Sequence, residues 1–287
     1  MGTKEKFWTS GPDGEQWLFK YARVAADGYV SGEDWAEWLV CQLAALIRVP
    51  VADVLPARCD GKRGAISRSI LNSVEELVHG NEVLAGSVPG YDTNPTGENP
   101  DYRVGTVRDA LDSAAPKVPW PHLSQMSAFD VWAGYLTMDA WVNGCDRHDQ
   151  NWGLVTDGHS ESLASSFDHG NALGFQVRPE KHQQMVEDQA LFERWVERGC
   201  CRYFAGKPKV LALAQDALTL AAPDARGYWL ERIAEVDMNL VDALVGQVPS
   251  EIMSEGTRMF VVQLLDTNRR RILNGNYNVD PKRIAEP

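Results

Sequence analysis

Apolar and polar positions in this chain follow two different periods, and the switch between them divides it. Over residues 4–24 the apolar positions alternate: Lys6-Phe7-Trp8 is one arm, Ser10-Gly11-Pro12-Asp13-Gly14 a turn, and residues 16–21 the other arm. Alternation bounded by Gly and Pro predicts a β-hairpin. Two further strands are expected over residues 51–58 and 64–71, joined by Cys59-Asp60-Gly61-Lys62, which carries the Asp-Gly signal of a tight hairpin. Between these pairs the period changes to that of a helix. Ser31-Gly32-Glu33-Asp34 opens it with acids in the first turn, Trp35, Trp38, Leu39, Leu43 and Leu46 form its stripe, and Pro50 is expected to stop it.

Beyond residue 73 the helical period dominates. A short helix is expected over 74–84, a Gly-, Pro- and Asn-rich loop over 86–101, and a helix over 104–113, followed by breaks at Pro116, Pro119 and Pro121. The strongest helical pattern covers 123–143 and stops at Asn143-Gly144. Further helices are expected over 180–200, 209–220, 227–236, 237–246 and 254–275. The pattern predicts an α+β fold of two lobes. Residues 1–73 form a small antiparallel sheet with one helix, and 74–287 a larger, mainly helical lobe in which 74–121 is a connecting segment.

Composition narrows the partners. The chain has 287 residues, enough for two lobes with cores, and a net charge of −12. That charge argues against a nucleic-acid backbone or an anionic membrane as main partner, since both need a positive surface. Lys207 and Lys209 are too few to make a basic patch. No apolar run approaches 18 residues and the first ten carry no apolar signal core. The five cysteines form no Cys-x-x-Cys pair and leave one over, which reads as a reduced, cytoplasmic protein.

The candidate chemistry is concentrated in residues 138–171. Asp146-Arg147-His148 is followed by Asn151, then by an apolar run, a polar turn, and Asp168-His169-Gly170. An aspartate, an asparagine five residues on and a later Asp-x-Gly are the parts a phosphoryl-transfer site needs. One carboxylate orients or deprotonates the attacking hydroxyl, while the amide oxygen and the second carboxylate hold Mg²⁺ against the phosphates. A strand-turn-strand between them, with a strand beginning near Leu163, is expected to bring the three together. Lys20, mid-strand, and Glu37, on the following helix 17 residues later, match the way protein kinases hold an ATP lysine in place. A snorkelling surface lysine and a solvated glutamate are the plainer readings of that pair. A competing reading takes His148, Asp149, His159, Asp168 and His169 as a divalent-metal hydrolase cluster, although no His-x-His or His-Glu-x-x-His pair is present.

Taken in order, Gly2-Thr3-Lys4-Glu5-Lys6, WLFKYA around Lys20, GEDWAEWLVCQLA around Glu37, ISRSIL, CDRHDQNWG and SFDHG make a sequence that resembles the HipA-like serine/threonine kinases, whose Asp-Arg-His-x-x-Asn motif also occurs in phosphatidylinositol kinases. The resemblance covers residues 2–175 well and the helical remainder loosely. It implies Asp146 as catalytic base or hydroxyl-orienting residue, Asn151 and Asp168 as Mg²⁺ ligands, and Lys20 on the α- and β-phosphates of ATP, paired with Glu37. Gly2, Thr3 and Lys4 would begin the phosphate-covering loop, though the full Gly-x-Gly-x-x-Gly pattern is missing. Backbone near Leu71 would meet the adenine. His148 is counted on the nucleotide side, where it and His169 support the site rather than ligate. The chain is also expected to lack the extra N-terminal subdomain of longer HipA proteins. Known members are toxins neutralised by a DNA-binding antitoxin, so the resemblance implies a protein substrate and an antitoxin-like partner. Phosphorylation of a small molecule or a lipid is the alternative on the same scaffold.

Overall fold

The computed structural model describes residues 5–12 and 14–277, without the side chain of His122. The first hairpin forms as the alternation requires: β1 (Lys6–Ser10) and β2 (Gln16–Tyr21) pair antiparallel, with Phe7 stacked on Phe19 at 5.2 Å. β3 (Val54–Cys59) and β4 (Lys62–Arg68) make the second hairpin. Its turn residues Asp60 and Gly61 both have positive φ, 49° and 74°, the twist that matches a two-residue hairpin. The sheet order is β1-β2-β4-β3, so β2 is interior and Lys20 sits opposite Ala65 of β4.

Helix α1 (Glu33–Leu46) packs under this sheet. Arg63 of β4 holds it there, its guanidinium donating two bonds to the Asp34 carboxylate at 2.8 and 2.7 Å. The helix ends four residues before Pro50, at Leu46, and Arg48 then turns the chain with φ 57°. The stop is therefore this left-handed residue, and Pro50 lies beyond it. Trp35, Leu39 and Leu43 belong to the same buried cluster as the helices of the second lobe, so the two lobes share a core through α1.

Residues 74–84 depart from expectation. Glu76–His79 is a strand, β5, and the helix α2 (Gly80–Ser87) begins only after it. The reason is a partner that begins 74 residues after its end: β5 pairs with β7 (Gly153–Thr156), and β8 (Glu161–Leu163) and β6 (Ala115–Pro116) complete a second sheet in the order β5-β7-β8-β6. Gly153 is needed there, because a Cβ would lie 2.5 Å from the Val78 carbonyl oxygen. After α3 (Val104–Ala110), the expected helix over 123–143 is shorter at its start. Residues Pro121–Gln125 form a separate 3-10 turn, and α4 (Ala128–Val142) starts at the Ser127 cap, whose hydroxyl accepts the Asp130 N–H. The expected helix over 180–200 is two, α5 (Pro179–Glu187) and α6 (Gln189–Val196), because the Asp188 carboxylate caps a new start by accepting from Leu191 N–H. Helices α7 (Val210–Leu220), α8 (Pro223–Ala234), α9 (Met238–Gly246) and α10 (Glu255–Leu273) complete the lobe. Among the described residues no helix is long and apolar enough to cross a membrane, and all five cysteines are free thiols.

Helix α4 is buried on every side and ends at Asn143, φ 54°. The chain then doubles back and seats the Arg147 side chain against it. Arg147 is 4% exposed and donates to both oxygens of Asp139 at 2.7 and 2.8 Å. Burial pushes the Asp139 carboxyl up even against the pull of the guanidinium. Such a pair adds little net stability but fixes geometry, and breaking it strands a charge in the core. Asp139→Ala is expected to lower unfolding free energy by about 3–5 kcal/mol in denaturant titration; a change within ~0.5 kcal/mol contradicts that role.

His182 of α5 lies between Thr257, whose hydroxyl is 3.1 Å from Nδ1, and the ring of Phe260 at 4.2 Å. Burial lowers its pKa from 6.5 to about 4. Between those values the unfolded chain binds a proton that the folded chain does not. Its contribution is therefore complete above pH 6.5 and is lost as pH falls toward 4. Melting curves over that range are expected to show Tm falling less steeply with acid in His182→Met than in the wild-type chain; equal slopes contradict this.

Candidate active site

Arg147 organises the loop over residues 143–151 as well as anchoring it. A third and fourth bond from its Nη1 go to the Asn151 carbonyl oxygen at 2.9 Å and the Ser166 hydroxyl at 2.8 Å. One side chain thus ties α4 to both ends of the β7–β8 hairpin. Tyr102 donates from its hydroxyl to the Arg147 carbonyl at 3.2 Å and accepts the Trp152 indole N–H at 3.1 Å. Tyr91, within the Gly- and Pro-rich loop, donates to Asp149 at 2.8 Å. The connecting segment therefore braces the loop from outside.

Within the loop, Asn151 Nδ2 donates to the Asp146 carbonyl oxygen at 2.7 Å. This orientation leaves Oδ1 as the amide atom to meet a cation. The β7–β8 hairpin then returns the chain, as the strand-turn-strand expectation requires, although β8 ends at Leu163 rather than beginning there. Asp168 follows with φ 61°. A left-handed non-glycine residue is uncommon, and Asp is among the side chains that tolerate it. Asp146, Asn151 and Asp168 line one small cavity together with Arg147, His169 and Asn171.

Lys20 reaches into this region from β2, its Nζ 2.9 Å from Asp168 Oδ1. Burial works against its charge, but Glu37 and Asp168 outweigh that and raise its pKa. It is a half-buried lysine held in an ion pair and not a snorkelling one. Glu37 is buried, at 6% exposure, and not solvated. Its Oε1 accepts the His169 N–H at 2.9 Å, which fixes the backbone next to Asp168. Gly170 makes this approach possible: a Cβ there would stand 2.9 Å from Glu37 Oε2. Lys20 is thus ion-paired to Asp168, and Glu37 adds its field to Lys20 and a backbone anchor to the Asp-His-Gly turn.

The two motif histidines stand beside the centre. His169 is buried, its Nε2 2.8 Å from the Ser166 hydroxyl, and burial followed by the Arg147 charge drives its pKa well down. His148 packs edge-on against Tyr203 at 5.1 Å, and burial lowers its pKa too. His159 lies in the exposed turn between β7 and β8. Among the described residues no three His, Cys, Asp or Glu side chains are grouped to hold a metal, so the hydrolase cluster is not assembled. The donors present, an amide oxygen and a carboxylate, are hard oxygens of the kind Mg²⁺ takes alongside phosphate. Gly2, Thr3 and Lys4 lie outside the described residues. Leu71 lines a separate cleft of about 1010 Å³ with Trp8, Val51, Ala52, Arg68 and Asn72.

Three contributors were not singled out from sequence. Arg147 and Asp139 are visible only as letters until the fold brings them together. Tyr203, between α6 and α7, is raised in pKa by burial, then by the charge of Asp146 and a hydrogen bond to that carboxylate. The signal available was Asp139 itself, a carboxylate in the middle of an otherwise apolar helix pattern, which must find a cation.

No family model matches the sequence, and no curated protein sequence does. Solved structures do. A Helicobacter pylori proinflammatory kinase, CtkA, superposes with a TM-score of 0.74 at 17% identity, over 96% of this chain and 91% of that one. HipA from a Shewanella oneidensis toxin–antitoxin complex with HipB and operator DNA superposes with a TM-score of 0.51 at 11% identity, over 96% of this chain and 67% of that one. The chain has the two-lobed, kinase-like α+β fold seen in CtkA and HipA.

Proposed function

We propose that this protein is an ATP- and Mg²⁺-dependent phosphotransferase of HipA-like type, which moves the γ-phosphoryl group of ATP to a serine or threonine hydroxyl of a protein. The observation that carries the reading is the convergence of Asp146, Asn151 and Asp168 on one cavity with a charged Lys20 at its edge. Asn151 Oδ1 and Asp168 would hold Mg²⁺, which would supply neutralisation of phosphate charge. Asp146 orients the acceptor hydroxyl and takes its proton as the new O–P bond forms and the bond from the γ-phosphorus to the bridging oxygen breaks, leaving ADP. Tyr203 and the Asn151 amide hold the Asp146 carboxylate and its backbone in register. Lys20 is kept protonated by Glu37 and Asp168, so its ammonium is ready to meet the α- and β-phosphates. Most of the rate then comes from positioning and fixed charge. Leu71, in the cleft between the first sheet and the second lobe, is the seat proposed for the base, and His148 is a packing support for Asp146. Residues 1–73 and 74–287 act as the two lobes.

HipA, which superposes on this chain, sits in a complex with a second protein and DNA. The acidic net charge of this chain supports a protein partner, antitoxin-like, over direct contact with nucleic acid. The free thiols fit a cytoplasmic setting.

Removing the base while keeping its shape separates binding from chemistry. Asp146→Asn is expected to bind ATP with Mg²⁺ as the wild-type chain does by calorimetry, while transfer of labelled phosphate to protein falls about a hundredfold to ten-thousandfold. Undiminished transfer in the purified variant removes Asp146 from that role.

A further inference from the structure

Several surface grooves of this acidic chain are cationic, and one of them lies against the loop that carries Asp146. It encloses about 520 Å³ and is lined by Arg194, Glu197, Arg198, Lys209 and Arg271. Four cations face one carboxylate there, in a protein whose net charge is −12. They come from α6, from the segment after it and from α10, so no stretch of sequence shows them together. Among the described residues Arg194, Arg198 and Lys209 have no ion-pair partner, and all three are exposed. Like charges gathered in one concavity repel each other until an anion enters.

The groove adjoins the catalytic loop. Gly199 follows Arg198, and a Cβ on it would meet Asn143 Oδ1 at 2.5 Å and Cys145 Sγ at 3.4 Å, so the backbone bearing Arg198 lies against the residue preceding Asp146. Lys209 is bridged antiparallel to Cys200, the next residue along. Four residues after Gly199 comes Tyr203, which holds the Asp146 carboxylate. Residues 198–203 thus link the groove to the loop that carries the proposed base.

We propose that this groove docks an acidic stretch of the protein that receives the phosphoryl group. The inference rests on the phosphotransfer reading and names its substrate class. A few carboxylates match four cations in a concavity of this size, whereas a nucleic-acid backbone, with a charge every ~1.7 Å, calls for a long positive stripe and meets the repulsion of the remaining surface.

Fluorescence anisotropy with a labelled Glu-Asp-Glu-Ser-Glu-Asp-Glu peptide, its all-Lys counterpart and a labelled single-stranded oligonucleotide tests this on the full chain. The wild-type protein is expected to bind the acidic peptide alone, more weakly as salt rises. Arg198→Glu combined with Lys209→Glu is expected to weaken that binding about tenfold or more. ATP-dependent thermal stabilisation, for which Lys20, Asn151 and Asp168 are left intact, should be unchanged and shows that the variant is folded; if the double variant does not fold, Arg194→Glu takes its place. Acidic-peptide binding that is absent, or equal in the variants, overturns the proposal, as does binding of the oligonucleotide in place of the peptide. A wild-type chain that ATP does not stabilise defeats the phosphotransfer reading instead, and the peptide result stands apart from it.

Discussion

The site depends on one buried ion pair. Arg147 is held by both oxygens of Asp139 inside the second lobe, and its remaining donors reach the Asn151 carbonyl and the Ser166 hydroxyl. Helix α4 is the most completely buried element of the chain, so Asp139 is a fixed point. From that point the guanidinium fork sets where the loop carrying Asp146 turns and where the return strand delivers Asp168. A planar group with donors in a rigid geometry does this better than an ammonium, which would meet the same acceptors without specifying their angles. The desolvation of two charges leaves little net stability from the pair. Its effect is to reduce the number of arrangements open to the loop.

A second electrostatic unit crosses between the lobes. Lys20 comes from the first sheet, Glu37 from α1 and Asp168 from the turn after β8. Glu37 touches the turn through the His169 amide and stabilises Lys20 through its field, so α1 reports on both lobes at once. Because α1 also shares its apolar face with the core of the second lobe, its position is not free to vary independently of the loop that carries Asp146. Gly170 is the steric condition for this contact.

Sequence alone was enough to single out the candidate residues that short spacing groups and that the fold gathers on one cavity. Asp146 and Asn151 are five apart, and Asp168 follows a hairpin whose alternation and polar turn are plain. Both sheet hairpins and six of the helical stretches were also legible, because each is stabilised mainly by local periodicity. What was not legible depends on partners distant in sequence. Glu76–His79 is too short to declare itself a strand without β7 beside it. Glu37 sits next to an apolar stripe and looks solvated until His169 arrives 132 residues later. The break at Asp188 turns on a single cap within an otherwise continuous helical pattern. The cationic groove draws on three separate elements, and Lys207 with Lys209 alone gave no sign of it.

The most direct test of the central claim, that Asn151, Asp168 and Lys20 make a Mg²⁺-dependent nucleotide site, is thermal unfolding of the wild-type chain and of Asp168→Asn with ATP alone and with ATP plus Mg²⁺. Asparagine tolerates the left-handed backbone at this position, so the variant removes charge without forcing the turn. Ligand at about 100 times its dissociation constant adds roughly 2.7 kcal/mol, a shift of several degrees that is easily read. The account predicts an upward shift in the wild-type chain that requires Mg²⁺ and is missing from Asp168→Asn. No shift with ATP and Mg²⁺, or an equal shift in both proteins, would contradict it.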